Sequence, residues 1–594
     1  MVVLNAGGQY CHLIARRIRE LGVHAVVADI NQPATELAGT RGIIISGGPA
    51  SVLDATSPAV DPDIYTLGVP VLGICYGHQL MAKDLEGRVS RGVTKEYGHC
   101  SLHHGAGPLF RGLPVRDLTV WMSHGDTVSD APPGFTIVGE TDDCKIAAMQ
   151  HTGRRLFGLQ FHPEVVHTEF GTEIYRNFVF DVCGCTADWD PRARVEQVME
   201  DIRARAAGRK VFFLISGGVD STVAFYCCYR ALGAGRVLGL YVDTGFMREG
   251  DGEAIEHLVH EAGREAIHVA DRSADFFGRL AGVTNPETKR AIIGDTFLSV
   301  QEDEFARLGL RDAEWLLGQG TIYPDTIESG GAKHAARIKT HHNRVERIQA
   351  LLEQGKVIEP LVELYKDEVR VLGEQLGLPH EVVWRHPFPG PGLAVRCLCA
   401  EAVAAVEPAG LTLPAGVSGW IVPVRTVGVQ GDERSYSMLL AVEGFAEAEG
   451  AGAFARRITN EHRSINRVAV VAFRRDGHGV GGLADFSIWP ATLTRERVAL
   501  LREADDLVTR IVRKHGLYDA IWQFPVAMVP LGAAPGRETI VLRPVNSRDG
   551  MTADFARLAP AVLDELAAAL GRLPRVDAVL YDVTNKPPAT IELE

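Results

Sequence analysis

"GICYGHQL", residues 73–80, follows the apolar run "VPVL" and sets a single cysteine between a strand and a helix-like stretch. Most cysteines pack as small hydrophobes. Here Gly73 and Gly77 flank Cys75 and relieve crowding on both sides of it. The side chain can then stand in a strained strand-to-helix corner, the logic of a nucleophile elbow. A helix N-terminus just beyond the cysteine favours the reactive thiolate. A thiol presented in this way needs a base.

Working outward, "VVLNA", "HAVVAD", "GIIISGGP" and "VPVLGIC" are short apolar runs, each followed by an amphipathic stretch or a turn. The alternation predicts a parallel sheet with helices on both faces, with reactive groups gathered beyond the carboxyl ends of its strands. "GIIISGGP" ends in Gly47 and Gly48, whose backbone N–H groups can stabilise an oxyanion. "LFGLQFHPE", residues 156–164, delivers His162 and Glu164 from the end of another apolar strand. A spacing of two turns both toward one side of an extended segment. The three side chains read as nucleophile, general base and orienting carboxylate.

The bulk properties bound the rest. A chain of 594 residues divides into roughly three or four domains. No apolar run approaches membrane-spanning length, and "MVVLNAGGQY" reads as a first strand with no basic leader. A formal charge of −14 argues against general nucleic-acid binding. The ten cysteines include no C-x-x-C spacing of a zinc site. The expectation is a reduced cytoplasmic protein with neither a membrane nor a nucleic acid as partner.

A charged helical connector, residues 188–208, leads into the strand and turn "VFFLISGGVDSTVAFYCC". Ser-Gly-Gly after an apolar strand aims backbone N–H groups at an anion. Ser216, Gly217, Gly218 and Val219 form that turn, and Asp220 and Ser221 add a carboxylate and a hydroxyl at the helix start. The Gly-Lys-Ser/Thr ending of the Walker loop is missing. "VLGLYVDTGF" at 237–246 is another strand ending in an acid, Asp243, and "ARIKTHHNRVERI" at 336–348 crowds Arg337 and Lys339 into one cationic segment. "RHPFPGPGLAVR" at 385–396 is rigid, with Gly390, Pro391 and Gly392 allowing the backbone near a ligand. "DVTNKPPATIELE" closes the chain and supplies Lys586.

These stretches carry resemblances. The first 185 residues, including "WMSHGD" at 121–126, resemble the class I glutamine amidotransferase domain. The likeness implies that Cys75 attacks glutamine, with the N–H groups of Gly48 and Tyr76 as oxyanion hole and Gln79 near the substrate. "SGGVDS" resembles the pyrophosphate loop of the N-type ATP pyrophosphatases, which adenylate an acceptor oxygen, with "GQGTIYPDTIES" at 318–329 as a second wall. "IKTHHN", "HPFPGPGL" and "KPPATIE" resemble the GMP synthetase family almost end to end. That resemblance implies glutamine, ATP and xanthosine monophosphate (XMP) as substrates, and magnesium held at Asp220. It also implies Lys339 on phosphate charge, and Arg337, the Gly390–Gly392 turn, Arg396, Lys586 and Glu592 at or near XMP. Rival readings are an ATP pyrophosphatase or sulfurtransferase acting on another acceptor, or a paralogue in specialised nucleoside metabolism.

Residues 397–594 echo themselves. "VPVRTVGVQGDERSYSMLLAV" at 422–442 returns as "FPVAMVPLGAAPGRETIVLRPV" at 524–545, and "SINRVAVVAF" at 464–473 as "LPRVDAVLYDV" at 573–583. Between the copies, residues 494–522 have the apolar spacing of an amphipathic helix. The expected fold is α/β: an amidotransferase domain over 1–185, an ATP pyrophosphatase domain over 186–385, and duplicated α+β modules over 386–493 and 494–594. Two modules able to pair within one chain predict a monomer, or at most a weak, ligand-dependent homodimer.

Overall fold

The computed structural model describes the chain outside residues 9, 166, 191–193, 263–264, 311–313, 324, 326–353, 431–432, 446–447, 476–481 and 548–552. Its chain falls into two compact units.

The first unit takes Met1–Arg194, with Ile322, Tyr323, Asp325 and Val362–Glu368 from later in the sequence. Its elements are β1 (Val2–Asn5), α1 (Cys11–Glu20), β2 (Val26–Asp29), β3 (Ile43–Ile45), β4 (Val71–Ile74), α2 (Tyr76–Asp84), β5 (Arg88–His104), β6 (Leu118–Asp130), β7 (Thr136–Glu140), β8 (Ala148–His151) and β9 (Leu156–Leu159). They build one nine-stranded sheet in the order β2-β1-β3-β4-β9-β8-β7-β5-β6. The strands from β2 to β9 in that order are parallel. β3, β4 and β9 are buried at every position, as strands covered on both faces must be. The remaining strands pair antiparallel, a half that the alternation of strands and helices did not announce. Along β6, buried residues alternate with more exposed ones from Leu118 to His124, the signature of one wet face.

The glycines around Cys75 explain how α2 lies on this sheet. A Cβ on Gly73 would stand 2.4 Å from the Gly77 carbonyl oxygen, and one on Gly77 would stand 2.3 Å from that of Ile45. Helix and strands touch backbone to backbone.

The second unit takes Val195–Thr321, the described residues up to Leu361, and Val369–Glu594. It opens with α3 (Val195–Ala206), β10 (Lys210–Ile215), α4 (Val219–Leu232), β11 (Val237–Asp243), β12 (Ile267–Asp271), α5 (Pro286–Arg307), β13 (Trp315–Gly318) and β14 (Val357–Ile358). The five strands form a sheet in the order β12-β11-β10-β13-β14, all parallel. The order reverses beside β10, where an open α/β sheet leaves a crevice at the strands' carboxyl ends.

The C-terminal part adds β15 (Ser418–Gln430), β16 (Glu433–Glu443), α6 (Ala448–Glu461), β17 (Ile465–Arg474), α7 (Arg495–Lys514), β18 (Val526–Val529), β19 (Glu538–Leu542), α8 (Pro560–Gly571) and β20 (Val576–Asp582). Apart from the short strand Glu407–Pro408, the sheet order is β15-β16-β17-β20-β19-β18. The two halves repeat one plan: an antiparallel pair, a helix, and a strand returning parallel to the second. They meet where β17 and β20 pair antiparallel. Asp582 on β20 binds Arg467 of the first half at 2.5 Å and Arg543 of the second at 3.2 Å, all three fully buried. α7 spans the amphipathic stretch between the copies, capped by the Thr494 side chain, which accepts from the Arg497 N–H.

Candidate active sites

Cys75 stands between β4 and α2 with φ of 50°. A residue with a Cβ reaches that region at a cost, and the corner is held by the Cys75 N–H donating to the Leu159 carbonyl at 2.7 Å. His162 and Glu164 follow β9, beside β4 in the sheet. The imidazole Nδ1 lies 2.6 Å from Glu164 Oε1, which leaves Nε2 for the thiol. A Cβ on Gly47 would come within 2.9 Å of the His162 ring and 3.6 Å of the Cys75 Cβ, so only glycine lets the turn after β3 close over the pair. Gly48 is as crowded, its virtual Cβ lying 2.4 Å from the Ala6 carbonyl oxygen. Tyr76 is the first residue of α2, where N–H groups have no acceptor within the helix.

Burial disfavours a charged ring at His162, but Glu164 and the Cys75 thiolate outweigh it and raise the pKa to about 10. The buried Glu164 carboxylate, 2.6 Å from Nδ1, thus helps hold the proton on the His162 ring. A folded-state value above the ordinary 6.5 stabilises the fold at low pH, and that contribution is lost as pH rises through about 10. Glu164→Gln removes the partner charge that holds the proton. The alkaline limb of glutamine hydrolysis is then expected to move about 1 to 3 pH units lower. A pH–rate profile of the variant checks this, and an unmoved limb would take Glu164 out of the role.

Gln79 donates through Nε2 to the Asp126 carbonyl at 2.7 Å and to Gln160 Oε1 at 3.2 Å. Gln160 in turn reaches Cys75 Sγ at 3.7 Å. Sequence reading passed over Gln160, although it directly follows β9 and sits two residues before His162. It also passed over Arg17, whose Nε donates to the Glu164 carbonyl at 3.0 Å from α1, and Tyr175, whose hydroxyl donates to Glu164 Oε2 at 3.4 Å.

In the second unit the Ser216–Gly218 turn joins β10 to α4, with Gly217 at φ +73°. Ser216 Oγ lies 3.1 Å from Ser221 Oγ, and Ser221 Oγ donates to the Gly218 carbonyl at 3.1 Å. The first-turn N–H groups of Val219, Asp220 and Ser221 thus crown a fourteen-residue helix, where the dipole favours an anion. A Cβ on Gly320 would meet the Ser221 nitrogen at 2.7 Å, so Gly320 lies against this turn, while residues 324 and 326–329 of the expected second wall lie outside the described residues. Asp243 ends the neighbouring strand, and its Oδ1 accepts from the Gly245 N–H at 2.8 Å. Gly392, at φ +66°, seats the Gly390–Gly392 turn on the same loop, where the Leu393 N–H donates to the Phe246 carbonyl at 2.8 Å.

Arg396 and Glu592 come together, but on each other. The guanidinium, 1% exposed, grips Glu592 with two bonds of 2.9 and 2.8 Å. The Lys586 backbone pairs with Ala553 on both sides, which fixes the tail. Leu593 is fully buried in a cluster with Trp420, Leu439, Val541 and Leu580, so that position serves packing. Glu594 pairs with buried Lys289. Arg337 and Lys339 lie outside the described residues.

A thiol backed by a His–Glu pair and a glycine turn opening a helix, carried by one chain, fit the class of glutamine-dependent, ATP-using ligases. Residues 2–182 match the family described as glutamine amidotransferase class-I, residues 192–280 match NAD synthase, and residues 510–593 match the GMP synthase C terminal domain. A relative from Leptospira interrogans named "Probable GMP synthase [glutamine-hydrolyzing]" is 43% identical over all of this chain and 99% of its own length. Relatives named "GMP synthase [glutamine-hydrolyzing]" from Symbiobacterium thermophilum and Heliobacterium modesticaldum are each 39% identical, again over the whole chain and 99% of their own length. The chain belongs to the glutamine-hydrolysing GMP synthase family. Among the described residues, no helix is long and apolar enough to cross a membrane.

Proposed function

We propose that the two units divide one reaction, with Cys75, His162 and Glu164 producing ammonia and the Ser216–Ser221 turn serving ATP. As a member of its family the chain is a ligase that makes GMP with glutamine as nitrogen donor and ATP as co-substrate. The Cys75 thiolate attacks the side-chain amide of glutamine, and the oxyanion rests on the N–H groups of Gly48 and Tyr76. His162 gives its proton to the departing ammonia, then takes one from the water that hydrolyses the glutamyl thioester. Gln79 and Gln160 orient the substrate. The observation that carries this reading is the buried His162–Glu164 contact of 2.6 Å behind a thiol held at positive φ.

In the second unit, the oxygen on carbon 2 of XMP attacks the α-phosphate of ATP. Pyrophosphate leaves toward the N–H groups opening α4, and ammonia then displaces AMP. Asp220 beside that anion cradle offers the hard oxygen donor that magnesium prefers, together with the phosphates themselves. When bound, the ion neutralises charge on the departing pyrophosphate. Asp243, Lys339, Arg337, the Gly390–Gly392 turn and Lys586 are assigned to the nucleotides. Arg396 and Glu592 would serve XMP as a paired unit. Incubation with glutamine, ATP and XMP tests the reading through equal yields of GMP and AMP; AMP without GMP would mean another acceptor.

All ten cysteines are free, which suits a reducing, cytoplasmic setting. The seam between β17 and β20 supports a monomer, since it joins two like modules inside one chain. Sedimentation at low micromolar concentration, with and without XMP and ATP, is expected to give the mass of one chain. A tight dimer without ligands would sink that assignment.

A further inference from the structure

Behind the glutamine site, Glu96 on β5 stands opposite His124 on β6, and Cys144 approaches both from the turn between β7 and β8. One ligand atom from each lies within 4.8 Å of the other two, and all three residues are buried. We propose that this trio is a binding site for a thiophilic divalent transition-metal ion such as zinc.

The surroundings of the trio carry the inference. His124 Nδ1 lies 3.0 Å from the Asp126 carbonyl oxygen, and Nε2 lies 3.0 Å from Glu96 Oε2. Both partners are acceptors. A protonated ring would satisfy both through its two N–H groups, whereas a neutral ring with its one N–H on the carbonyl would present the Nε2 lone pair to a cation shared with Glu96. A metal cation held between Nε2 and Oε2 would satisfy both atoms as a second ring proton does, and the nearby Cys144 thiol supplies it a third ligand.

Each member also has its own outer partner. Glu96 Oε1 accepts from the Thr141 hydroxyl at 2.8 Å, leaving Oε2 for the ion. Cys144 Sγ lies 3.3 Å from Thr127 Oγ1. Outer hydrogen bonds of this kind fix the tautomer and orientation of metal ligands. Imidazole, thiolate and carboxylate are a donor set for zinc, whose bonds of about 2.0–2.3 Å space tetrahedral ligands about 3.5 Å apart. Modest side-chain adjustment closes the trio to that spacing. A fourth position falls to water or to Cys100, on the same strand as Glu96. Binding releases the Cys144 thiol proton.

The site would brace the glutamine pocket. The Asp126 carbonyl accepts from both His124 and Gln79, and the Ser123 carbonyl lies 3.6 Å from Cys75 Sγ.

The test uses the full chain, purified without a metal-binding tag, loaded with zinc, dialysed against metal-free buffer and assayed for metal by mass spectrometry. One zinc per chain is expected in the wild type and in Cys75→Ser, which separates this site from the nucleophile. Cys144→Ser is expected to bind zinc at least about 100-fold more weakly, more than an outer-shell change costs. Because the serine replaces sulfur with oxygen at nearly the same volume, folding is checked directly by circular dichroism and thermal melting. Cobalt loading should give a sulfur-to-metal charge-transfer band that Cys144→Ser lacks. A wild-type chain that emerges metal-free, zinc lost from Cys75→Ser instead, or a cobalt spectrum without the thiolate band overturns the proposal.

Discussion

Cys75→Ala is expected to abolish glutamine-dependent GMP formation while sparing synthesis from added ammonium salts. In the proposed mechanism the thiol forms the covalent bond to the amide carbon, a role the side chains described beside it do not duplicate. His162, Glu164 and Gln160 move protons or orient, but none is a nucleophile within reach. Loss of a nucleophile from an acyl-transfer site costs rates on the order of 10⁴-fold or more. The corner itself survives, because Gly73 and Gly77 shape the close contact of helix and strand, and alanine keeps the Cβ that cysteine already carries at φ 50°. The adenylation site is proposed in the other unit, so ammonium-driven GMP and AMP should stay near the wild-type rate. Equal loss with both nitrogen sources would make Cys75 a structural residue.

Asp220→Ala is expected to remove synthesis with either nitrogen source by roughly 10²–10³-fold, the size of effect seen when one preorganised partner of developing charge is deleted. The carboxylate sits in the first turn of α4, where the helix dipole and N–H groups gather the phosphates. Without it, a magnesium ion screening the pyrophosphate would lose the protein ligand proposed for it. Isotope exchange between pyrophosphate and ATP in the presence of XMP reports this step without ammonia, and it should vanish in the variant. Retained exchange would move the phosphate site away from this turn.

The two reactive turns were legible because their chemistry is local. A cysteine between two glycines after an apolar strand, His-x-Glu after another, and Ser-Gly-Gly before a helix each state their backbone geometry within a few residues. Whether a strand is buried on both faces is also a local pattern, and β3, β4 and β9 followed it. The antiparallel half of the first sheet was not legible, since β5 to β8 carry no connecting helices and their order depends on pairing alone.

What the sequence by itself determined is the local geometry: a cysteine at a strand-to-helix corner, a His-x-Glu pair after another strand, a Ser-Gly-Gly turn opening a helix, and two like C-terminal modules. Only the tertiary structure decided which distant groups meet them. Arg19 of α1 packs against the rings of Trp189, Tyr323 and Tyr365 at 4.8, 4.9 and 5.0 Å and pairs with Glu368 at 3.0 Å. Residues 322–323, 325 and 362–368, read from sequence as part of the ATP pyrophosphatase domain, thereby join the first unit. The same holds for Arg17 on Glu164, for Arg396 turned onto Glu592, and for the Glu96–His124–Cys144 trio. Each joins residues far apart in the chain through side-chain packing. Such contacts leave no periodicity or spacing to read, because the chain between them is free to vary until the fold closes and burial forces each polar group to find its partner.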